Sequence, residues 1–86
     1  MPRCCRNPIS SVEGIAMYSN YYVNRQAQSN GDHEVHRDDC RYLPSVLNRH
    51  HLGAFLNCGG AVAEARRLGF YRANGCRFCS IACHTS

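Results

Sequence analysis

The sequence predicts a small α+β domain, a three-stranded antiparallel sheet with one packed helix and a C-terminal cysteine knuckle. Three observations carry that prediction. Two strand-like segments flank an Asn-Gly turn, one amphipathic helical stretch has a readable start and stop, and a Cys-x-x-Cys pair lies near the end. At 86 residues the chain holds one domain. A chain of this size buries only about 60% of its unfolded surface, so a staple is expected: disulfides, a structural metal or a partner subunit.

The first strand is read over Tyr18–Arg25, rich in Tyr and Val and partly alternating. Ser29-Asn30-Gly31-Asp32 supplies the turn, because Asn-Gly accepts positive φ at little cost. His33–His36 returns as the second strand, Arg37–Arg41 is a polar turn, and Pro44 closes the unit. Ser45–His51 reads as a loop, and Leu52–Leu56 as a third, apolar strand. Asn57 is placed as the N-cap of the helix that follows. Ala61, Val62, Ala65 and Leu68 share its inward face, with Glu64, Arg66 and Arg67 outward and Gly69 as the C′ residue. Asn74-Gly75 reads as a turn before Cys76-Arg-Phe-Cys79, and Ser80–Ser86 as a tail with a short helical turn.

Residues 1–17 show no strand or helix period and are read as a disordered tail or a mis-assigned translation start. Residues 18–86 form the domain. Met17 is the alternative start, since codons for Glu13-Gly14 read as a purine-rich run just upstream of it. Cys4 and Cys5 then fall outside the domain.

Composition excludes several classes. A hydrophobic content of 44% is too high for a disordered chain. No apolar run approaches the ~18 residues of a membrane span. With 7 Gly and 3 Pro the chain is neither collagen-like nor a linker. The net charge is +4 and all ten basic residues are Arg. Arg grips phosphate through a planar fork, although GC-rich codon usage accounts for the same bias. The first twenty residues lack the apolar stretch of a secretory signal, so the expected location is the cytoplasm. Thiols there stay reduced, and cysteine clusters more often bind metal than form bridges. The odd count of seven cysteines points the same way.

The Cys76-x-x-Cys79 pair behind Asn74-Gly75 is the sharpest local signal. A turn of this kind lets two thiolates converge on one ion while backbone N–H groups bond to the sulfurs. Tetrahedral zinc needs four N or S ligands, usually as two pairs. The second pair is assigned to His36-x-x-x-Cys40, with Cys83 and His84 in reserve. Against zinc stand buried unliganded thiols, a thiol-redox pair and an iron–sulfur cluster. Cys58, at the helix start, reads as a buried structural residue. His50-His51 reads as a solvated loop pair, and Asp32, Asp38 and Asp39 as turn and surface residues. Tyr21 and Tyr22 must face opposite sides of their strand, one in the core and one free to pack or to stack a base.

His36-Arg-Asp-Asp-Cys40, Leu52-Gly-x-Phe55, Ala61-Val-Ala-Glu-Ala65, Gly69-Phe70, Arg72 and Cys76-Arg-Phe-Cys79 resemble, in this order, the N-terminal zinc domain of the Ada DNA-repair protein. The resemblance covers residues 36–79. It departs where His36 replaces a cysteine and where five residues separate Phe70 from Cys76. It therefore implies a zinc-knuckle scaffold rather than methyl transfer from DNA. The whole chain is also similar to members of a small family of bacterial proteins of this length, a similarity that implies no activity.

Together these features describe a small non-enzymatic module, stabilised by Zn2+ on Cys76, Cys79, Cys40 and His36. Its partner is a protein or a nucleic acid, the latter reached through Arg37, Arg41, Arg66, Arg67 and Tyr22. No membrane is involved, and the chain is a monomer or weak homodimer. Two alternatives are enzymatic. Asp32-His33-x-x-His36, Asn48-x-His50 and the CxxC pair are similar to HNH nucleases, in which a histidine activates water beside a metal. A thiol-redox protein would use Cys76 and Cys79.

Overall fold

The computed structural model describes residues 17–85. The tail or mis-assigned start, with Cys4 and Cys5, lies outside them but for Met17.

Strand β1 (Ser19–Asn24) alternates as its sequence demands: Tyr21 and Val23 are buried and Tyr22 turns to the other face. It pairs antiparallel with β2 (His33–Arg37), Tyr22 opposite His36 and Val23 opposite Val35. The connecting turn forms as expected, with Gly31 at φ +91 and its N–H donating to the Gln28 carbonyl. Strand β3 (Arg49–Phe55) pairs with the other edge of β1 and starts three residues earlier than read. His50 and His51 are therefore strand residues, not a loop. Polar side chains had masked a strand that has one solvated face.

The helix α1 (Cys58–Arg67) has the predicted caps. Asn57 Oδ1 accepts the Gly59 N–H at 2.9 Å, and Gly69 takes φ +108 beyond the last turn. Ala61, Val62 and Ala65 pack with Tyr21, Val23, Val35 and Leu52 into the core. Leu68 does not join them: it is the C-cap residue, already past the packed turns, and is 40% exposed. Phe70 packs on the core in its place.

The sheet corrects the three-stranded, antiparallel expectation. A fourth strand, β4 (Ala73–Gly75), runs parallel to β2 on its free edge, giving the order β3-β1-β2-β4. The helix carries the chain from one edge of the sheet to the other, the kind of crossover a parallel pair requires. Asn74-Gly75, read as a turn, is thus strand. Asn74 is buried, donating to Asp32 Oδ2 at 3.2 Å and accepting from the Thr85 N–H at 3.0 Å. Gly75 is needed for space: a Cβ there would stand 2.6 Å from the Ser80 carbonyl oxygen and 2.7 Å from Cys83 Cβ.

The tail makes the expected short helical turn at Ile81–Cys83. Cys58 and Cys83 form a disulfide between the helix start and this turn, their Cα atoms 6.2 Å apart. Both sulfurs lie on the helix side of the sheet with the core. No described helix is long and apolar enough to cross a membrane.

Candidate metal centre

The strand register brings the predicted ligands together. His36 shares the face of its partner Tyr22, away from the helix, and is 1% exposed. Val35 pairs with Gly75, and the Cys76 N–H donates to the Val35 carbonyl, so Cys76 leaves β4 beside His36. The turn after β2 closes when the Cys40 N–H donates to the Arg37 carbonyl, folding Cys40 back toward the strand end. The turn after β4 closes with the Ser80 N–H donating to the Cys76 carbonyl, which curls Cys79 inward.

The ligand atoms of His36, Cys40, Cys76 and Cys79 all lie within 4.8 Å of one another. Cys40 and Cys76 sulfurs are 3.9 Å apart. Four ligands at ~2.3 Å around a tetrahedral centre stand about 3.8 Å from each other, so the group needs little contraction to hold one ion. Each sulfur also receives a backbone amide. The Tyr42 N–H donates to Cys40 at 3.4 Å, the Phe78 N–H to Cys76 at 3.4 Å and the Arg37 N–H to Cys79 at 3.3 Å.

His36 supplies the decisive detail. Its Nε2 faces Glu34 Oε1 at 3.4 Å. Its Nδ1 is buried without a hydrogen-bond partner, alone in this among side-chain nitrogens and oxygens of the described residues. Leaving such an atom unsatisfied costs roughly 1–3 kcal/mol, and a metal bond is what the surrounding sulfurs offer it. Burial depresses the His36 pKa, opposed more weakly by the Glu34 carboxylate, so the imidazole is neutral and can donate its Nδ1 lone pair. Burial likewise pushes the Cys40 thiol up to about 12, against the Tyr42 amide, so a metal must displace its proton.

Neither reserve residue joins the group. Cys83 is in the disulfide, and His84 Nδ1 lies 3.0 Å from the Gly75 carbonyl oxygen. Spacing alone could not reveal that the helix start folds onto the tail and takes Cys83 at a separation of 25 residues. Sequence alone did not single out Glu34, whose carboxylate stands against His36. Its signal was the two-residue spacing that puts it on the face of His36.

The residues assigned to nucleic acid are scattered. Arg37 is held by Asp39 at 2.6 Å. Arg66 donates to the Ala73 carbonyl and Arg67 grips both oxygens of Glu64, on the helix. Tyr22 lies on the opposite, helix-free face, with Arg49 4.7 Å over its ring and His51 beside it. Arg41 stands 5.6 Å over Tyr42. The nuclease-like histidines do not converge. His33 turns to the helix side, its ring 5.1 Å from Phe70 and its Nδ1 2.8 Å from the Asn24 carbonyl, while His36 faces the sulfurs. Cys76, which a redox pair would expose for attack, is 1% exposed. Comparison with protein-family models, with curated proteins and with solved structures finds no match.

Proposed function

We propose that this chain is a small non-enzymatic binding module stabilised by one zinc ion, held by His36, Cys40, Cys76 and Cys79. The observation that carries the reading is a buried His36 gathered with three free thiols, its Nδ1 without a hydrogen-bond partner. Three sulfurs and one imidazole suit zinc, whose structural sites are four-coordinate and closed. A closed set leaves no position for substrate or water, which favours a scaffold over a catalyst. When bound, the ion would tie the end of β2 to the tail beyond β4.

Glu34 would fix the tautomer, holding the proton on Nε2 and aiming Nδ1 inward, as carboxylates do behind metal-bound histidines. The Ada-like order of ligands and helix supports the same scaffold and extends no further than it. Cytoplasmic residence suits three reduced ligands, and Cys58–Cys83 would be the exception there. The partner is a protein or a nucleic acid.

The test is native mass spectrometry of the full chain before and after chelation. One zinc per chain, lost in Cys76→Ser together with a drop in melting temperature, is the expected result. A chain that takes up no zinc and melts unchanged with chelator sinks the reading.

A further inference from the structure

Both loops that carry the sulfurs also carry an exposed aromatic ring. Tyr42 follows Cys40 by two residues and Phe78 lies between Cys76 and Cys79; they are 50% and 63% exposed. The two rings meet across the loops at 4.5 Å between centroids. Arg41 stands 5.6 Å from the Tyr42 centroid and Arg77 5.7 Å from that of Phe78. Neither arginine makes an ion pair among the described residues, whereas Arg37 neutralises Asp39. Beside the pair opens a cleft of about 230 Å³, lined by Phe78, Arg41, Cys40, Cys79 and the Arg37–Asp39 ion pair. It is smaller than the roughly 300–1,000 Å³ of small-molecule pockets, so it fits one part of a longer ligand.

We propose that the Tyr42–Phe78 pair with Arg41 and Arg77 is a stacking platform for single-stranded nucleic acid. Every base has a flat face, and exposed aromatic rings and guanidinium planes are the groups that hold unpaired bases without reading their sequence. The flanking Arg41 and Arg77 are free to meet phosphates, and Arg prefers them. A duplex hides its base faces and gains nothing from the rings. Asp38 and Asp39 adjoin the site, so stacking rather than charge supplies most of the affinity.

The inference rests on the metal reading through one contact on each loop. The Tyr42 and Phe78 amides donate to the Cys40 and Cys76 sulfurs, so the ligands set where both rings stand. Loss of the ion frees the loops and separates the pair.

Fluorescence anisotropy with the zinc-loaded full chain and a labelled oligothymidylate of about twelve nucleotides tests it, since stacking platforms of this class span roughly 4–16. Tyr42→Ala and Phe78→Ala should each weaken binding on the order of tenfold, and Phe78→Trp should restore it. Arg41→Gln and Arg77→Gln should each lower the slope of log affinity against log salt by about 0.7. Native mass spectrometry of every variant reports whether zinc is still held. No strand binding by a zinc-loaded chain, equal affinity for duplex, or alanine variants that bind like the parent would each overturn this inference and leave the metal reading standing. Strand binding that needs the two rings in a chain that holds no zinc would overturn the metal reading alone.

Discussion

The Cys58–Cys83 bond and the His36–Cys40–Cys76–Cys79 group fasten the same short tail, on opposite sides of the sheet. The first lies on the helix side, against the apolar core, and is covalent and complete in itself. The second lies on the helix-free side, where β2 and β4 end, and leaves one buried nitrogen without a partner. Side chains that need only apolar surroundings finish their contacts within the chain. Side chains that gather polar atoms in the dry do not, and that deficit marks the site. Gly75 sits between the two fastenings and lets the tail close on the sheet edge at all.

Metal removal breaks the comparison most severely. Structural zinc contributes about 10–16 kcal/mol of apparent binding energy in zinc-finger peptides at neutral pH, comparable to the whole stability of a small domain. Chelation should therefore lower the melting temperature by tens of degrees or abolish the cooperative melt, read by circular dichroism. Reduction of Cys58–Cys83, or Cys58→Ser, should cost less. Closing a loop of 25 residues is worth about 3.5 kcal/mol in the chain-entropy model. Urea titration should show that loss with zinc stoichiometry intact. If reduction also released the ion, the two fastenings would not be independent.

The sheet hairpin and helix were readable because each rests on local chemistry: alternation over Tyr21 to Val23, the Asn30-Gly31 turn, Asn57 and Gly69 at the helix ends. That His36, Cys40, Cys76 and Cys79 gather was readable as two spaced pairs. The fourth strand was not, because Asn74-Gly75 carries a turn signature while its real constraint is the close approach of Ser80 and Cys83. The disulfide was not, because it depends on where α1 comes to rest. His50 and His51 looked like a loop because β3 shows water one of its faces.

Glu34→Gln sharpens the metal side further. Loss of a carboxylate behind a ligating histidine typically costs about 10–100-fold in metal affinity. Competition with a chromogenic chelator should show a loss of that order with the metal-free fold unchanged; parent-like affinity would remove Glu34 from the site. The pH dependence follows from the same groups. In the metal-free chain the depressed His36 pKa means that the unfolded state takes up a proton more readily, so stability falls as pH drops below about 6.5. The raised Cys40 pKa acts at the other end: the unfolded thiol ionises first, and stability falls as pH rises from 9.0 toward about 12. Bound zinc would invert the upper limb, since a ligated sulfur is a thiolate already and affinity grows with pH. Chelator resistance should therefore fall steadily from pH 8 to pH 5, while the metal-free chain is most stable between those two limbs.

The smallest effect tests the disulfide side alone. Asn57 caps α1 one residue before Cys58, its Oδ1 taking the Gly59 N–H at 2.9 Å. Removing such a cap costs about 1 kcal/mol, because a helix-end N–H must then find water instead. The helix start lies across the sheet from His36, so Asn57→Ala should lower the unfolding free energy read by urea titration by that amount and leave zinc affinity where it was. The cap and the bond also hold the same turn. In the oxidised chain the bond still pins that turn to the tail, and the cost of Asn57→Ala should shrink relative to the reduced chain. Equal costs in both states would mean that the bond fixes the tail but does nothing to order the helix start.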